Sequence, residues 1–296
     1  MSIDTPRLAK KASQLRLAAI SLAESMRNGS FKSLYRGQGI EFSGVREYLP
    51  FDNVRSIDWN VTSRMGKAFV KQYEEDRELS VFLILDCSRS MQTGSGEATR
   101  LQTASEAAAL LILAAEQNSG AAGAVFFDGE IKFSIAPKSG RGNISVILSK
   151  LNKIDSIPES EKKDGSCLQN AIQGAAKLLR KRSLIFILSD FRTSKWEKSF
   201  ARLAQKNDVV AIRITDSTDT ELPQIGTLPF VDPETRQSAF FPTLSKRFRS
   251  EWREANRQRL DSWKEFCIKH GASPLLLSTA EDPALVLSKF FKQKAR

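Results

Sequence analysis

A single histidine, His270, stands in a chain of 296 residues, and that scarcity narrows the chemistry. Imidazole is the common general base near neutral pH and a frequent zinc ligand, so a Ser-His triad or a histidine cage has at most one residue to draw on. His270 precedes Gly271 at the end of a helical pattern, which suits a capping or surface role better than proton transfer. Cysteine is almost as rare. Cys87, Cys167 and Cys267 are widely spaced and form no CxxC pair, which argues against a disulfide framework and a thiolate metal cage. No stretch approaches the roughly 18 uninterrupted apolar residues of a membrane span. The first residues also lack the apolar core and small-residue cleavage site of a secretory leader, so a cytoplasmic location without a transmembrane segment is expected. A Walker-type Gly-rich loop is missing too, so the chain is not expected to hydrolyse ATP.

Positive charge is plentiful. Lysine and arginine number 45 against 34 acids, a net charge of +11, which could favour nucleic acid or an anionic membrane. The bases are interspersed with acids, however, and the densest runs, Lys246 to Arg259 and Lys289 to Arg296, read as solvated helix faces. No RRM, KH or zinc-finger pattern accompanies them, and nucleic acid is not an expected partner.

Periodicity lays out the chain. Thr5 to Met26 places Leu8, Leu15, Ala18, Ala19 and Leu22 at helical spacing. Arg36 to Trp59 is dense in charge and aromatics and reads as neither a simple helix nor a strand. Within it Arg46, Glu47, Asp52, Arg55 and Asp58 form a structural ion network, with a partner-binding surface as the alternative. Lys67 to Tyr73 is strand-like, and the acidic run Glu74 to Glu78 turns the chain into the next strand.

From Ser80 onward strands and helices alternate. Strands are expected at Ser80 to Leu85, Ala122 to Phe127, Ile131 to Ile135, Ser183 to Leu188, Val209 to Ile214 and Pro274 to Leu277. Helices are expected at Ala98 to Gln117, Ile144 to Leu151, Leu168 to Arg180, Trp196 to Gln205, Arg247 to His270 and Pro283 to Phe291. Asp128-Gly129 signals a hairpin, and Leu222 to Phe241, with its turn at Asp232 to Thr235, an inserted one. The expected fold is therefore α/β, a doubly wound and mainly parallel sheet. It divides into an N-terminal extension over residues 1–78, comprising a helix and an irregular or β part, and a main domain over 79–296.

Two apolar runs end in oxygen-bearing residues. The first, Val81 to Leu85, runs into Asp86, Ser88 and Ser90, a D-x-S-x-S pattern. The second, Leu184 to Leu188, runs into Ser189 and Asp190. In open α/β sheets ligands bind outside the carboxyl ends of the strands, where these residues fall with Ser166 at the start of a helix. Asp86, Ser88, Ser90, Ser166 and Asp190 thus make an all-oxygen set. Such a set suits a hard divalent cation, Mg²⁺ first and Mn²⁺ or Ca²⁺ as substitutes. Alternation turns both serine hydroxyls to the ion and Cys87 and Arg89 away. With few carboxylates in direct contact, the ion stays electrophilic toward an acidic group from outside.

These residues resemble the metal-ion-dependent adhesion site of the von Willebrand factor A fold, a Rossmann-type sheet. Asp86, Ser88 and Ser90 match its first loop, Asp164-Gly165-Ser166 stands where Gly-Gly-Thr is usual, and Asp190 matches the third. The preceding segment, with Gly-Gln-Gly-Ile-Glu-Phe at 37–42, Val-Arg-Glu-Tyr at 45–48 and Ile-Asp-Trp at 57–59, resembles the bacterial family catalogued as domain of unknown function 58. That resemblance implies an adaptor or chaperone-like module beside a MoxR-type AAA+ ATPase or its client. From the residues themselves no catalytic group is expected. A metal-assisted hydrolase and an electrostatic binder of nucleic acid or membrane are the competing classes. Cys87 and Cys167 flank proposed ligands, so a redox pair that disables the site is a further reading.

Overall fold

The computed structural model describes residues 22–23, 26, 41–50, 52–74, 80–118, 120–154, 167–231 and 238–293. The N-terminal extension is more regular than its composition suggests. Strands β1 (Glu41–Glu47) and β2 (Phe69–Glu74) pair antiparallel as a separate two-stranded sheet. Between them lie a 3-10 turn at Val54–Ser56 and helix α1 (Trp59–Met65). The segment read as neither a simple helix nor a strand is thus a strand, a 3-10 turn and the start of a helix in succession. Asp58 caps α1 by accepting from the Asn60 and Val61 amides, and Gly66 ends it in the left-handed region at φ 70°. Part of the expected ion network is present: Asp52 accepts from both Arg46 Nη atoms at 2.6 and 2.7 Å, and Lys67 meets Glu47 at 2.7 Å. Leu49, Val54, Trp59 and Met65 are more than half exposed around it.

The main sheet is built from β3 (Ser80–Asp86), β4 (Ala121–Asp128), β5 (Glu130–Lys138), β6 (Leu184–Ser189) and β7 (Asp208–Thr215). A hairpin of β8 (Thr227–Val231) and β9 (Ser238–Pro242) follows, at the place expected for the insertion. Its turn at 232–235 lies outside the described residues. Strand β10 (Ser273–Ser278) closes the sheet in the order β10-β7-β6-β3-β4-β5. Numbered as they occur in the chain, those six strands run 6-5-4-1-2-3, a doubly wound order whose direction reverses beside β3. All neighbours pair parallel except β5, which the Asp128-Gly129 turn folds back antiparallel onto β4.

Among the described residues, seven helices complete the α/β part: α2 (Arg100–Gln117), α3 (Arg141–Ile154), α4 (Leu168–Leu178), α5 (Glu197–Lys206), the one-turn α6 (Ser217–Thr220), α7 (Lys246–Lys269) and α8 (Pro283–Gln293). Strand alternation sends Val81, Leu83 and Leu85 to one face and Phe82 and Ile84 to the other. The first face packs under α2, α3 and α8 together with Leu22, Ala23 and Met26, the described helical residues of the expected N-terminal helix. The second packs under α4, α5 and α7. With both faces covered, β3, β4 and β6 are almost wholly buried, which is why their sequences read as continuous apolar runs. Gly123 marks a close approach of two backbones. A Cβ there would stand 2.7 Å from Pro137 N and 2.9 Å from Ile135 O, beside an irregularity in the β4–β5 register. The expected division at residue 78 falls within 75–79, outside the described residues.

Candidate functional site

The carboxyl ends of four strands converge on a rim of buried oxygen. Asp86 ends β3 and is fully buried; Ser88 and Ser90 follow at 0% and 6% exposure; Asp190 follows β6 at 3%. Both oxygens of Asp86 are braced. Oδ1 accepts from the Ser88 amide at 3.0 Å, and Oδ2 accepts from the Ser189 hydroxyl at 2.6 Å. That hydroxyl in turn accepts from the Phe191 amide at 3.0 Å, so Ser189 ties the two strand ends together. The hydroxyls of Ser88 and Ser90 lie 3.2 Å apart, at the start of a 3-10 turn over Arg89–Gln92. Burial, reinforced by the charge of Asp190, pushes the Asp86 carboxyl up to about 7 against the hydrogen bonds from Ser189 and Ser88.

Asp190 differs from Asp86 in having one bare oxygen. Its Oδ1 accepts from the Arg192 amide at 3.1 Å, but Oδ2 is buried and accepts no hydrogen bond, with Arg192 Nε 4.0 Å away. The backbone that presents it is strained: Phe191 sits at φ 52°. Its ring, packed against Trp196 and Trp263 at centroid distances of 5.2 and 5.4 Å, holds that conformation. The site therefore brings together four of the five expected ligands, Asp86, Ser88, Ser90 and Asp190. Ser166 lies outside the described residues, as do Asp164 and Gly165; the next described residue, Cys167, precedes α4.

Several residues that hold the rim are additions to the expected set. Arg100, 3% exposed, donates to Ser90 O at 3.3 Å, to Thr93 Oγ1, and to Asp219 Oδ1 at 2.7 Å. Arg192 reaches the same Asp219 oxygen from the Asp190 loop. Asp216, just past β7, accepts from the Ser95 amide at 3.0 Å, the Thr218 amide at 3.0 Å, the Thr218 hydroxyl at 2.7 Å and the Thr279 hydroxyl at 2.9 Å. Burial by itself would raise the pKa of Asp216, but these hydrogen bonds, led by those from Thr218 and Ser95, outweigh it and hold the carboxyl well below the usual range. Asp216 was legible as a third aspartate at the end of an apolar strand. The role of Ser189 depends on β6 lying beside β3, which no local signal encodes.

The chemistry of this donor set fits a hard cation: two carboxylates, two adjacent hydroxyls, and a buried carboxylate oxygen without a donor. Among the described residues no group of three or more His, Cys, Asp or Glu side chains could hold a metal, so hydroxyls would have to take part. No disulfide joins the three cysteines, and burial pushes the Cys267 thiol up to about 12.

The sheet order and the Asp-x-Ser-x-Ser rim define a von Willebrand factor A-like α/β protein. The family model described as "Protein of unknown function DUF58" matches residues 44–261, and the chain belongs to that family. "Uncharacterized protein Rv1480" of Mycobacterium tuberculosis is 28% identical over 299 residues, covering 99% of this chain and 92% of that protein. "Uncharacterized protein MAV169" of Mycobacterium avium is 26% identical over 163 residues, 55% of this chain and 94% of its own. Among solved structures, BatB from Bacteroides thetaiotaomicron superposes with a TM-score of 0.44 at 17% identity, covering 73% of this chain and 98% of that one. The VWA domain of SpRpn10 gives 0.39 at 14% identity, covering 73% and 95%. No helix among the described residues is long and apolar enough to cross a membrane.

Proposed function

We propose that the rim is a divalent-cation site through which this module grips an acidic group of a partner protein. The observation that carries the reading is the buried, donor-less Oδ2 of Asp190 beside the buried Asp86 carboxyl. Two such carboxylates in a dry site call for a counter-charge, and a cation supplies it. Asp190, Ser88 and Ser90 would hold Mg²⁺, or Mn²⁺ or Ca²⁺ in its place. Asp86, with both oxygens already engaged, would supply charge and orientation, and Ser166 is the fifth expected ligand. When bound, the ion supplies an electrophilic position for a carboxylate from outside.

Binding is favoured over catalysis by where the one histidine of the chain lies. His270 follows the carboxyl end of α7 and packs against Phe266 at a centroid distance of 4.5 Å. Because α7 leads into β10, that position is at the opposite end of the sheet from the rim. The family resemblance adds the finer proposal that the partner is a MoxR-type AAA+ ATPase or its client. Affinity capture from a lysate of the native cells tests both parts, with wild type in Mg²⁺, wild type in chelator, and Asp86→Ala in Mg²⁺. The expected result is retention of the ATPase in the first arm and loss in the other two. Equal retention in all three would sink the metal bridge.

A further inference from the structure

One charged side chain interrupts the apolar layer that β7 contributes to the second face of the sheet. Val209 and Ala211 lie on that face, and Arg213 follows two residues later, paired across to Ser189 and so close to the Asp190 turn. Its guanidinium lies over the ring of Trp263 on α7, 5.6 Å from the centroid. Among the described residues it makes no hydrogen bond, and no acid stands within 4.0 Å of it. Burial, the largest influence on it, lowers its pKa from the usual arginine value. The charges that act on it are Asp190 and Asp219 on the favourable side, Arg192 and Arg259 on the unfavourable one.

Both acids are already engaged. Asp219 accepts from Arg100 and Arg192, while Asp190 accepts from the Arg192 amide and belongs to the proposed cation site. Arg213 is thus left, at the carboxyl ends of β6 and β7 and against Trp263 of α7, without an ion-pair partner of its own among the described residues. A half-buried cation beside two like charges is costly, and the fold does not require it, since Val or Ala fills the same face elsewhere on the strand. A guanidinium offers five donors in a planar fork that matches an oxyanion, and stacking on an indole holds that fork in place.

We propose that Arg213, Arg192 and Arg259 form an anion seat beside Asp190 that takes an oxyanion, a carboxylate or a phosphate, of the molecule bound at the rim. The seat stands without a metal. If the cation site also operates, the ligand carries two anionic groups, one for the ion and one for the arginines.

The test is thermal unfolding of the full chain with excess chelator at constant ionic strength, chloride being exchanged for inorganic phosphate or, separately, for a tetra-aspartate peptide. Because no metal is available, failure here is separate from failure of the cation reading. One of the two probes should raise Tm along a saturating curve, by about 5 °C near a hundredfold excess over Kd, and the one that does identifies the oxyanion. Arg259→Gln, an exposed change, should weaken the apparent affinity at least fivefold, and Arg213→Met should abolish saturation. Arg213→Met should also raise Tm in chloride alone, which shows that it folds. The proposal is overturned if neither probe saturates, if stabilisation climbs linearly and equally in all variants as a general salt effect does, or if both variants saturate like wild type.

Discussion

Replacing Asp86 by asparagine should stabilise the metal-free protein at pH 8 by about 2–4 kcal/mol while removing its response to Mg²⁺. The carboxyl is fully buried, and burial with the neighbouring Asp190 charge lifts it from 3.8 to about 7. The sign follows from linkage. Below about pH 4 the native and unfolded states both hold the proton, and the shift has no effect. Between about 4 and 7 the native state keeps a proton that the unfolded chain has released, so stability falls as pH rises; above about 7 both are ionised and the full penalty remains. Asparagine keeps the shape and an oxygen to accept from the Ser88 amide, without the charge. The gain should therefore be greatest at pH 8 and vanish at pH 4, as measured by urea unfolding in chelator at both values. A loss of stability at pH 8 would show that the buried charge is already compensated within the protein.

Asp216→Ala should act in the opposite direction, with a loss of about 3–5 kcal/mol at pH 7. The substitution leaves two backbone amides and two hydroxyls without their acceptor, and these come from three segments: Ser95, Thr218 and Thr279. Because the native pKa is depressed, the charged form contributes stability above the unfolded value near 3.8, and this is lost as pH falls below it. The gap between wild type and Asp216→Ala should narrow from pH 5 to pH 2. Ser95 follows the Ser88–Ser90 turn closely in the chain, so the variant should also weaken cation binding. Unfolding curves across that range measure the first effect, and a loss below about 1 kcal/mol at pH 7 would mean that the loops hold without this clamp.

The parts of the fold that were readable in advance are those in which one physical demand dominates. Strands β3 and β6 are covered on both faces, so Val81 to Leu85 and Leu184 to Leu188 are uniformly apolar, and their abrupt ends in Asp86 and in Ser189-Asp190 mark the rim. The β1–α1 segment was obscured because its charges pair locally and several apolar side chains face outward, although Asp58 and Gly66 carried the signals for both ends of α1. Arg213 in Val-Val-Ala-Ile-Arg-Ile-Thr gives no hint of a covered face. Its setting arises only when α7 brings Trp263 across it, a contact between residues fifty positions apart. The link from Ser189 to Asp86 spans 103 residues and likewise needs the strand order.

The most direct measurement of the central claim is calorimetric titration of the purified, chelator-stripped chain with Mg²⁺ and with Mn²⁺ at pH 8, in wild type, Asp190→Asn and Asp86→Asn. Wild type should bind one ion saturably, more weakly at pH 6 because Asp86 must release a proton, and each variant should lose at least tenfold in affinity, with folding confirmed by circular dichroism. Absence of binding to wild type, or binding unchanged in both variants, would contradict it.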